Sequence, residues 1–177
     1  MDEEMQKVIS YALSDDDINR ILEPDTHIFT YPALEDMKSI DEAFDPYGRA
    51  MMLYPTTDAQ TGHWVCMIRY PKHIEFFDPY GEKPDNQLKW VGASQRKKLN
   101  TDEPYLTRLF RESGLPIYYN TYDYQIDHSD INTCGRHCVV RLLYKNKTPK
   151  QYYDMIKRSG LPPDEFVSGL TYLMLNK

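Results

Sequence analysis

Cys134 stands where a polar loop turns into a predicted helix, within Asn132-Thr133-Cys134-Gly135. The positive end of a helix dipole and the unpaired N–H groups of a first turn favour a thiolate over a thiol. The thiolate is the nucleophilic form of cysteine. Gly135 leaves room for a substrate to approach. The position therefore suits a nucleophile, and a small buried residue that begins a helix is the alternative.

A nucleophilic thiol needs a base, and His63 and Asp78 form a candidate pair. His63 stands at the entrance to a predicted strand, and Asp78 follows the end of the next strand along the chain. Two adjacent antiparallel strands bring the start of the first beside the end of the second, so both residues are expected at one edge of a hairpin. The carboxylate would then hold the imidazole in one tautomer. The alternatives are a surface histidine and a turn aspartate that precedes proline.

An acyl-transfer site also needs a donor for the developing oxyanion. Gln125 lies nine residues before Cys134. Its side-chain amide and the backbone N–H of Cys134 are a candidate pair of donors. His128 and Asn132 lie nearer to Cys134 in the chain and are alternatives to Gln125.

The elements that must position these residues are predicted from capping residues and hydrophobic spacing. Strands are predicted at 50–54, 64–70, 74–77 and 117–120, helices at 14–22, 34–44, 104–113, 135–144, 149–158 and 163–175, and an irregular polar stretch at 82–103. Ser14 is expected to cap the first helix, Pro24 to end it and Gly114 to close the third. This order of helices, strands and helices favours an α+β fold over a doubly wound sheet.

Length and composition limit the classes of function that the protein can have. The 177 residues predict a single domain, residues 1–177, and the net charge of −6 argues against a protein that coats nucleic acid. The basic run Arg96-Lys97-Lys98 is interpreted as a solvated segment, with contact to nucleic acid as the alternative. No apolar run approaches the roughly 18 residues of a membrane helix, and the acidic start does not have the order of a signal peptide. Three cysteines form no even disulfide framework, which predicts a reducing compartment.

The order of these motifs resembles that of the adenain-type cysteine proteases. The matching segments are His63-Trp64, Phe77-Asp78-Pro79-Tyr80-Gly81, Gln125 and Asn132-Thr133-Cys134-Gly135, and the resemblance covers about residues 60–145. Those enzymes are maturation proteases of adenoviruses and of related large DNA viruses and virophages, and they share their fold with the SUMO proteases. The resemblance implies a papain-like or adenain-like α+β fold, a small mixed sheet with the catalytic cysteine at the N-terminus of a central helix.

The resemblance also implies roles for individual residues. Cys134 would attack the substrate, His63 would be the general base and Asp78 would orient the imidazole. Gln125 would help to form the oxyanion hole, although the interval to Cys134 is longer than usual in the family. The residues 127–130 are therefore interpreted as an insertion.

Further residues are assigned to a substrate cleft or to no site. Trp64 would pack beside the imidazole and form a wall of the cleft, and Gly135 would border it. A run of tyrosines is interpreted as a strand-edge wall of the same peptide cleft: Tyr118, Tyr119, Tyr122 and Tyr124. A helix carrying Cys134, His137 and Cys138 has no second cluster to complete a tetrahedral zinc site, so no metal is predicted.

The sequence thus predicts a cysteine endopeptidase that cleaves viral capsid or core precursor polypeptides during virion maturation. It is expected to act as a monomer in the virion and the host-cell cytoplasm, with no cofactor, no membrane and no required nucleic acid. Adenovirus proteases are activated by DNA and by a disulfide-linked peptide, which is not expected here because no cysteine lies between Cys66 and Cys134. The alternatives are a protease that removes ubiquitin or a SUMO-like modifier from host proteins, and an inactive binding module with the same fold.

Overall fold

A computed structural model describes residues 1–23 and 26–177 of the chain. In these residues the helices are α1 (Glu3–Ser10), α2 (Asp15–Leu22), α3 (Ala93–Leu99), α4 (Tyr105–Ser113), α5 (Cys134–Leu143), α6 (Pro149–Ser159) and α7 (Pro163–Leu175). The strands are β1 (His27–Thr30), β2 (Arg49–Asp58), β3 (Thr61–Arg69), β4 (Ile74–Phe77) and β5 (Ile117–Tyr119), and 3-10 helices lie at Tyr31–Asp36, Ile40–Ala43 and Asn86–Trp90. Within the described ranges, none of the helices has the length and apolarity to cross a bilayer.

The five strands form one mixed sheet in the order β1-β2-β3-β4-β5. The strand β3 pairs antiparallel with β2 and β4, whereas β1 and β5 run parallel to their neighbours. Side chains alternate along β3 as strand geometry requires. Trp64 and Cys66 belong to the core on one face of the sheet, and Val65 and Met67 to the core on the other. The predicted α+β class is confirmed.

The central helix is α5, which packs on the same face of the sheet as Trp64 and Cys66. Every residue from Gly135 to Leu142 is buried. Its neighbours are β3 beneath it and the helices α2 and α7 beside it. Because it is enclosed on all sides, the position of its first residue, Cys134, is set by the whole core.

A buried ion pair fixes α5 to β4. Arg141 donates from Nε and Nη2 to the two carboxylate oxygens of Glu75 at 2.8 and 2.9 Å. Its remaining N–H groups donate to the carbonyl oxygens of Tyr144 and Lys147, both at 2.9 Å. The bidentate geometry and the extra acceptors offset the cost of taking both charges out of water.

Glu75→Gln is expected to lower the free energy of unfolding by about 3–5 kcal/mol, because it leaves the Arg141 guanidinium buried without a counter-charge. Chemical denaturation followed by circular dichroism measures the loss. The matched control is Glu3→Gln, which breaks an exposed pair with Lys7 on α1 and is expected to cost less than about 1 kcal/mol. Equal losses in the two variants would contradict a structural role for the buried pair.

Most predicted elements are confirmed. Ser14 caps α2 in a capping box, and Gly114 closes α4 in the left-handed conformation at φ +67°. The predicted hairpin is present as β3 and β4, the predicted strand at 117–120 as β5, and the last three predicted helices as α5, α6 and α7. Pro24, predicted to end α2, lies outside the described residues.

The differences concern short or polar elements. The predicted helix at 34–44 is two 3-10 helices, and the stretch at 82–103, predicted to be irregular, contains a 3-10 helix and α3, whose last turn carries Arg96, Lys97 and Lys98. The helix α1 and the strand β1 are additional elements. The helix α1 has apolar residues at helical spacing, Met5, Val8 and Ile9, but it spans only eight residues and β1 only four, so both are shorter than the window over which a periodic pattern can be recognised.

Candidate active site

His63 and Asp78 meet at one edge of the β3–β4 hairpin. The register pairs Cys66 of β3 with Phe77, the last residue of β4. Asp78, which follows Phe77, therefore lies at the end of the hairpin where β3 begins and where His63 is located. The Nε2 atom of His63 lies 2.7 Å from Oδ1 of Asp78. This leaves Nδ1 as the ring nitrogen that is available to a thiol.

Asp78 is fully buried and is held by a further set of hydrogen bonds. Its Oδ1 also accepts from the backbone N–H of Tyr80 at 2.8 Å, and its Oδ2 accepts from Nε2 of Gln87 at 3.0 Å. Asn120 binds the Asp78 backbone on both sides, accepting from its N–H at 3.1 Å and donating to its carbonyl oxygen at 2.6 Å. The carboxylate is therefore fixed in one orientation towards the imidazole.

Cys134 is the first residue of α5, beside the same edge of the sheet. The backbone N–H of Trp64 donates to its Sγ at 3.5 Å, which joins the thiol to the strand that carries His63. Cys134 is half-buried, whereas Cys66 and Cys138 are buried in the core. Sulfur, imidazole and carboxylate are thus brought together from three separate segments.

The ionised forms of Cys134, His63 and Asp78 stabilise one another. Burial alone would lower the pKa of His63, but the Asp78 carboxylate and the adjacent Cys134 raise it to about 10. Burial alone would raise the pKa of the Cys134 thiol, but the His63 imidazole and the N–H groups of Trp64 and Gly135 lower it. Between these two pKa values, the pair is a thiolate beside an imidazolium.

Cys134 is expected to react with iodoacetamide before the other two cysteines, with a rate midpoint below the pH of about 8.5 typical of a free thiol. Peptide mapping by mass spectrometry after timed alkylation at several pH values measures this midpoint. The His63→Ala variant should move the midpoint up, because the imidazolium that stabilises the thiolate is lost. Equal and slow labelling of Cys66, Cys134 and Cys138 would contradict an activated thiol.

Gln125 lies next to the Asp78–Pro79 turn, because its backbone N–H donates to the carbonyl oxygen of Pro79 at 3.0 Å. Its Nε2 donates to the carbonyl oxygen of Ile131 at 3.3 Å, in the loop that precedes Cys134. Its Oε1 is buried and has no hydrogen-bond partner in the described part of the chain. The amide donor is therefore engaged by its own loop, and its role at an oxyanion stays a prediction.

The two alternatives to Gln125 are oriented elsewhere. The Nδ2 atom of Asn132 donates to the carbonyl oxygen of Ser10 at 2.8 Å, which ties the loop to the end of α1. The side chain of His128 is exposed on the loop surface. Neither side chain is hydrogen-bonded to the Cys134–His63–Asp78 group in the described residues.

The residues assigned to the cleft have different surroundings from those expected. Trp64 is only 7% exposed, and a Cβ added at Gly135 would lie 3.2 Å from Cδ1 of its indole. The space beside Gly135 is thus filled by Trp64, so the glycine permits close packing of α5 on β3. The ring stacked on His63 is that of Tyr80, with centroids 4.7 Å apart.

The tyrosines predicted to form a wall of the peptide cleft are divided between exposed and buried positions. Tyr118 and Tyr119 are exposed on the edge strand β5, whereas Tyr124 is buried in the core, where its ring packs against those of Phe77 and Tyr152. Tyr118, Tyr119 and Tyr124 nevertheless line one small pocket, together with Arg141 and Tyr152. Their role as a wall of the peptide cleft stays a prediction.

A groove of about 340 Å³ opens beside the candidate site. Its lining combines two aromatic rings, one amide and three carboxylates: Tyr80, Trp90, Gln87, Glu82, Asp123 and Asp127. It adjoins the site through Tyr80, which stacks on His63, and through Gln87, which binds Asp78. Trp90, at 68% exposed, is a large apolar surface available to a peptide.

A second polar cluster, which the sequence did not indicate, lies behind the thiol. Asp164 on α7 accepts from Thr133 and His137, which flank Cys134. His137 is thus directed to a carboxylate, and the Cys138 thiol donates to the carbonyl oxygen of Trp64 at 3.5 Å. The triplet considered for zinc therefore does not converge on one point.

Comparison with known proteins identifies a viral relative. The chain is 38% identical over 165 residues to "Uncharacterized protein V9" of Sputnik virophage, and the match covers 90% of this chain and 94% of V9. No protein-family model matches the chain. The chain therefore belongs to the same family as V9, and it is a viral protein of the kind made in a virus-infected host cell.

Proposed function

We propose that this member of the V9 family is a cysteine endopeptidase with the adenain-like variant of the papain-like fold. The observation that carries the proposal is the convergence of Cys134, His63 and Asp78, with the imidazole bound to the carboxylate at 2.7 Å. The lowered pKa of the Cys134 thiol and the raised pKa of His63 suit a nucleophile and a proton shuttle. A binding module with the same fold would not need this arrangement.

In the proposed reaction, the Cys134 thiolate attacks the carbonyl carbon of the scissile peptide bond. The negative charge moves to the carbonyl oxygen, which the backbone N–H of Cys134 and the Gln125 amide are proposed to receive. The imidazolium of His63 gives its proton to the leaving amine, and a thioester remains on Cys134. His63 then takes a proton from water, the hydroxide displaces the thiolate, and the acid product leaves.

The proposed substrates are capsid or core precursor polypeptides of the same virus. Such precursors are made in the same infected cell as the viral protein. On this proposal, the enzyme is also present with them in the virion. The groove beside the site would receive the peptide, with Trp90 and Tyr80 packing against its side chains. Neither a cofactor nor nucleic acid takes part in the proposed chemistry.

The test is mass spectrometry of the capsid precursor after incubation with the purified full chain. Cleavage at a defined peptide bond, absent in the Cys134→Ala variant, would support the proposal and identify the site. A parallel reaction contains ubiquitin and SUMO-like conjugates with a diglycine junction. Preferential cleavage of these conjugates would favour the deconjugating protease instead, and an intact precursor together with intact conjugates would favour the binding module.

A further inference from the structure

One buried carboxylate holds three points of the chain around the thiol. Asp164, in the first turn of α7, is 3% exposed. Its Oδ1 accepts from Oγ1 of Thr133 at 2.6 Å and from Nε2 of His137 at 2.8 Å. Its Oδ2 accepts from the backbone N–H of Ile126 at 3.1 Å.

These donors surround Cys134 in the chain. Thr133 precedes Cys134, His137 follows it by less than one helical turn, and Ile126 directly follows Gln125. The loop that carries the proposed oxyanion donor and the helix that carries the nucleophile are therefore tied to the same carboxylate. Thr133 and His137 are fully buried, so water cannot replace these hydrogen bonds without opening the core.

The bond from Thr133 has a second consequence, because Thr133 is the N-cap residue of α5. A threonine at this position ordinarily accepts a hydrogen bond from an N–H group of the first helical turn. Here its hydroxyl donates to Asp164, and it makes no side-chain cap. Within the described residues no side chain therefore caps the first N–H groups of α5, and that of Gly135 acts on the Cys134 thiol.

The protonation of the cluster follows from its contacts. Burial would raise the pKa of Asp164, but the bonds from His137, Thr133 and Ile126 lower it. Burial lowers the pKa of His137 despite its bond to Asp164. The arrangement is thus a carboxylate that accepts from a neutral imidazole, with the imidazole proton on Nε2.

We propose that Asp164 is a positioning residue of the active site, which ties Thr133, His137 and the loop after Gln125 to one carboxylate and so fixes the first turn of α5 relative to that loop, with its N–H groups facing the sulfur and the oxyanion. The inference rests on the proposed function, because a positioning role for Asp164 requires a reaction at Cys134. Asp164 does not contact the reacting atoms and acts through Thr133, His137 and the loop.

The test compares Thr133→Val and Asp164→Asn with the unchanged full chain. Thr133→Val keeps the shape of the side chain but removes the donor, and Asp164→Asn removes the charge. Both are expected to lower kcat for cleavage of the capsid precursor roughly 10- to 100-fold with little change in KM, as expected for a small displacement of reacting groups. Both should also slow the alkylation of Cys134 and move its pH midpoint upwards.

Two further variants separate positioning from a general loss of stability. Thr133→Ser keeps the hydroxyl and is expected to restore kcat and the alkylation midpoint. Glu165→Gln removes one charge from the same turn of α7 and is expected to change neither. The double variant of Thr133→Val with Asp164→Asn should be no slower than the worse single variant, because both act on one unit.

The outcomes distinguish this inference from the proposed function. If the unchanged protein cleaves the precursor but folded Thr133→Val and Asp164→Asn keep its kcat and midpoint, the positioning role is wrong and the protease stands. If no peptide is cleaved by the unchanged protein but the midpoint moves in both variants, the positioning role stands and the proposed function falls. A lower melting temperature with an unchanged midpoint in the folded protein would show a structural role only and would overturn the inference.

Discussion

Cys134→Ala is expected to lower kcat for cleavage of the capsid precursor on the order of 10⁶-fold, the largest effect of any single substitution in this protein. Without the sulfur no thioester can form, so the His63 imidazolium has no tetrahedral intermediate whose leaving amine it could protonate. Quantitative mass spectrometry of the cleaved precursor, with enzyme in large excess, measures the residual rate. His63→Ala is expected to cause a loss of similar size, because the two residues act as one unit.

The matched control is Cys66→Ala, which removes a thiol from the core on the same strand as Trp64. Cys66 is fully buried, and its Sγ donates to the carbonyl oxygen of Cys138 at 3.7 Å. This variant is expected to unfold at a lower temperature but to keep the kcat of the folded protein, because a cavity in the core leaves the reacting groups in place. Cleavage by Cys134→Ala at the rate of the unchanged protein would refute the proposed mechanism.

The meeting of His63 with Asp78 could be predicted from the sequence because a hairpin is a local structure. Both strands are short apolar runs buried on both faces, and the short turn between them sets their register. The start of α5 was predictable for the same kind of reason, since the apolar spacing after Gly135 is helical. The proximity of Cys134 to that hairpin was not local, and it came from the resemblance of the motif order.

The residues that hold the site in place could not be predicted, because they act through contacts between distant parts of the chain. Asn120 binds Asp78 from 42 positions away, and Asp164 binds Thr133 from 31. Asparagine and aspartate at element ends and turns are common for local reasons, so nothing in the sequence marks these two. The packing of Gly135 against Trp64 was missed because a glycine next to a candidate nucleophile suggests substrate access as readily as close contact.

Asp78→Asn is expected to lower kcat roughly 10²- to 10⁴-fold, the upper figure being that of the equivalent change in a serine triad. The substitution keeps the size of the side chain but removes the charge that holds the imidazolium. It also conflicts with the existing donors, because His63 and Gln87 both donate to the carboxylate and an amide nitrogen cannot accept from either. The kcat of this variant is measured on the same precursor as that of Cys134→Ala.

The pH profile of this variant distinguishes an electrostatic role from a purely structural one. The pKa of His63 is raised to about 10, chiefly by Asp78 acting against burial, so activity should fall on the alkaline side near that pH. Removing the carboxylate lets the imidazolium lose its proton at lower pH, and the alkaline limb should move towards neutrality. Asp16→Asn, an equal charge change in the first turn of α2, should leave the limb in place. If the limb of Asp78→Asn also stays near pH 10, the carboxylate is not what keeps His63 protonated, and its role would be reduced to holding the turn through Tyr80.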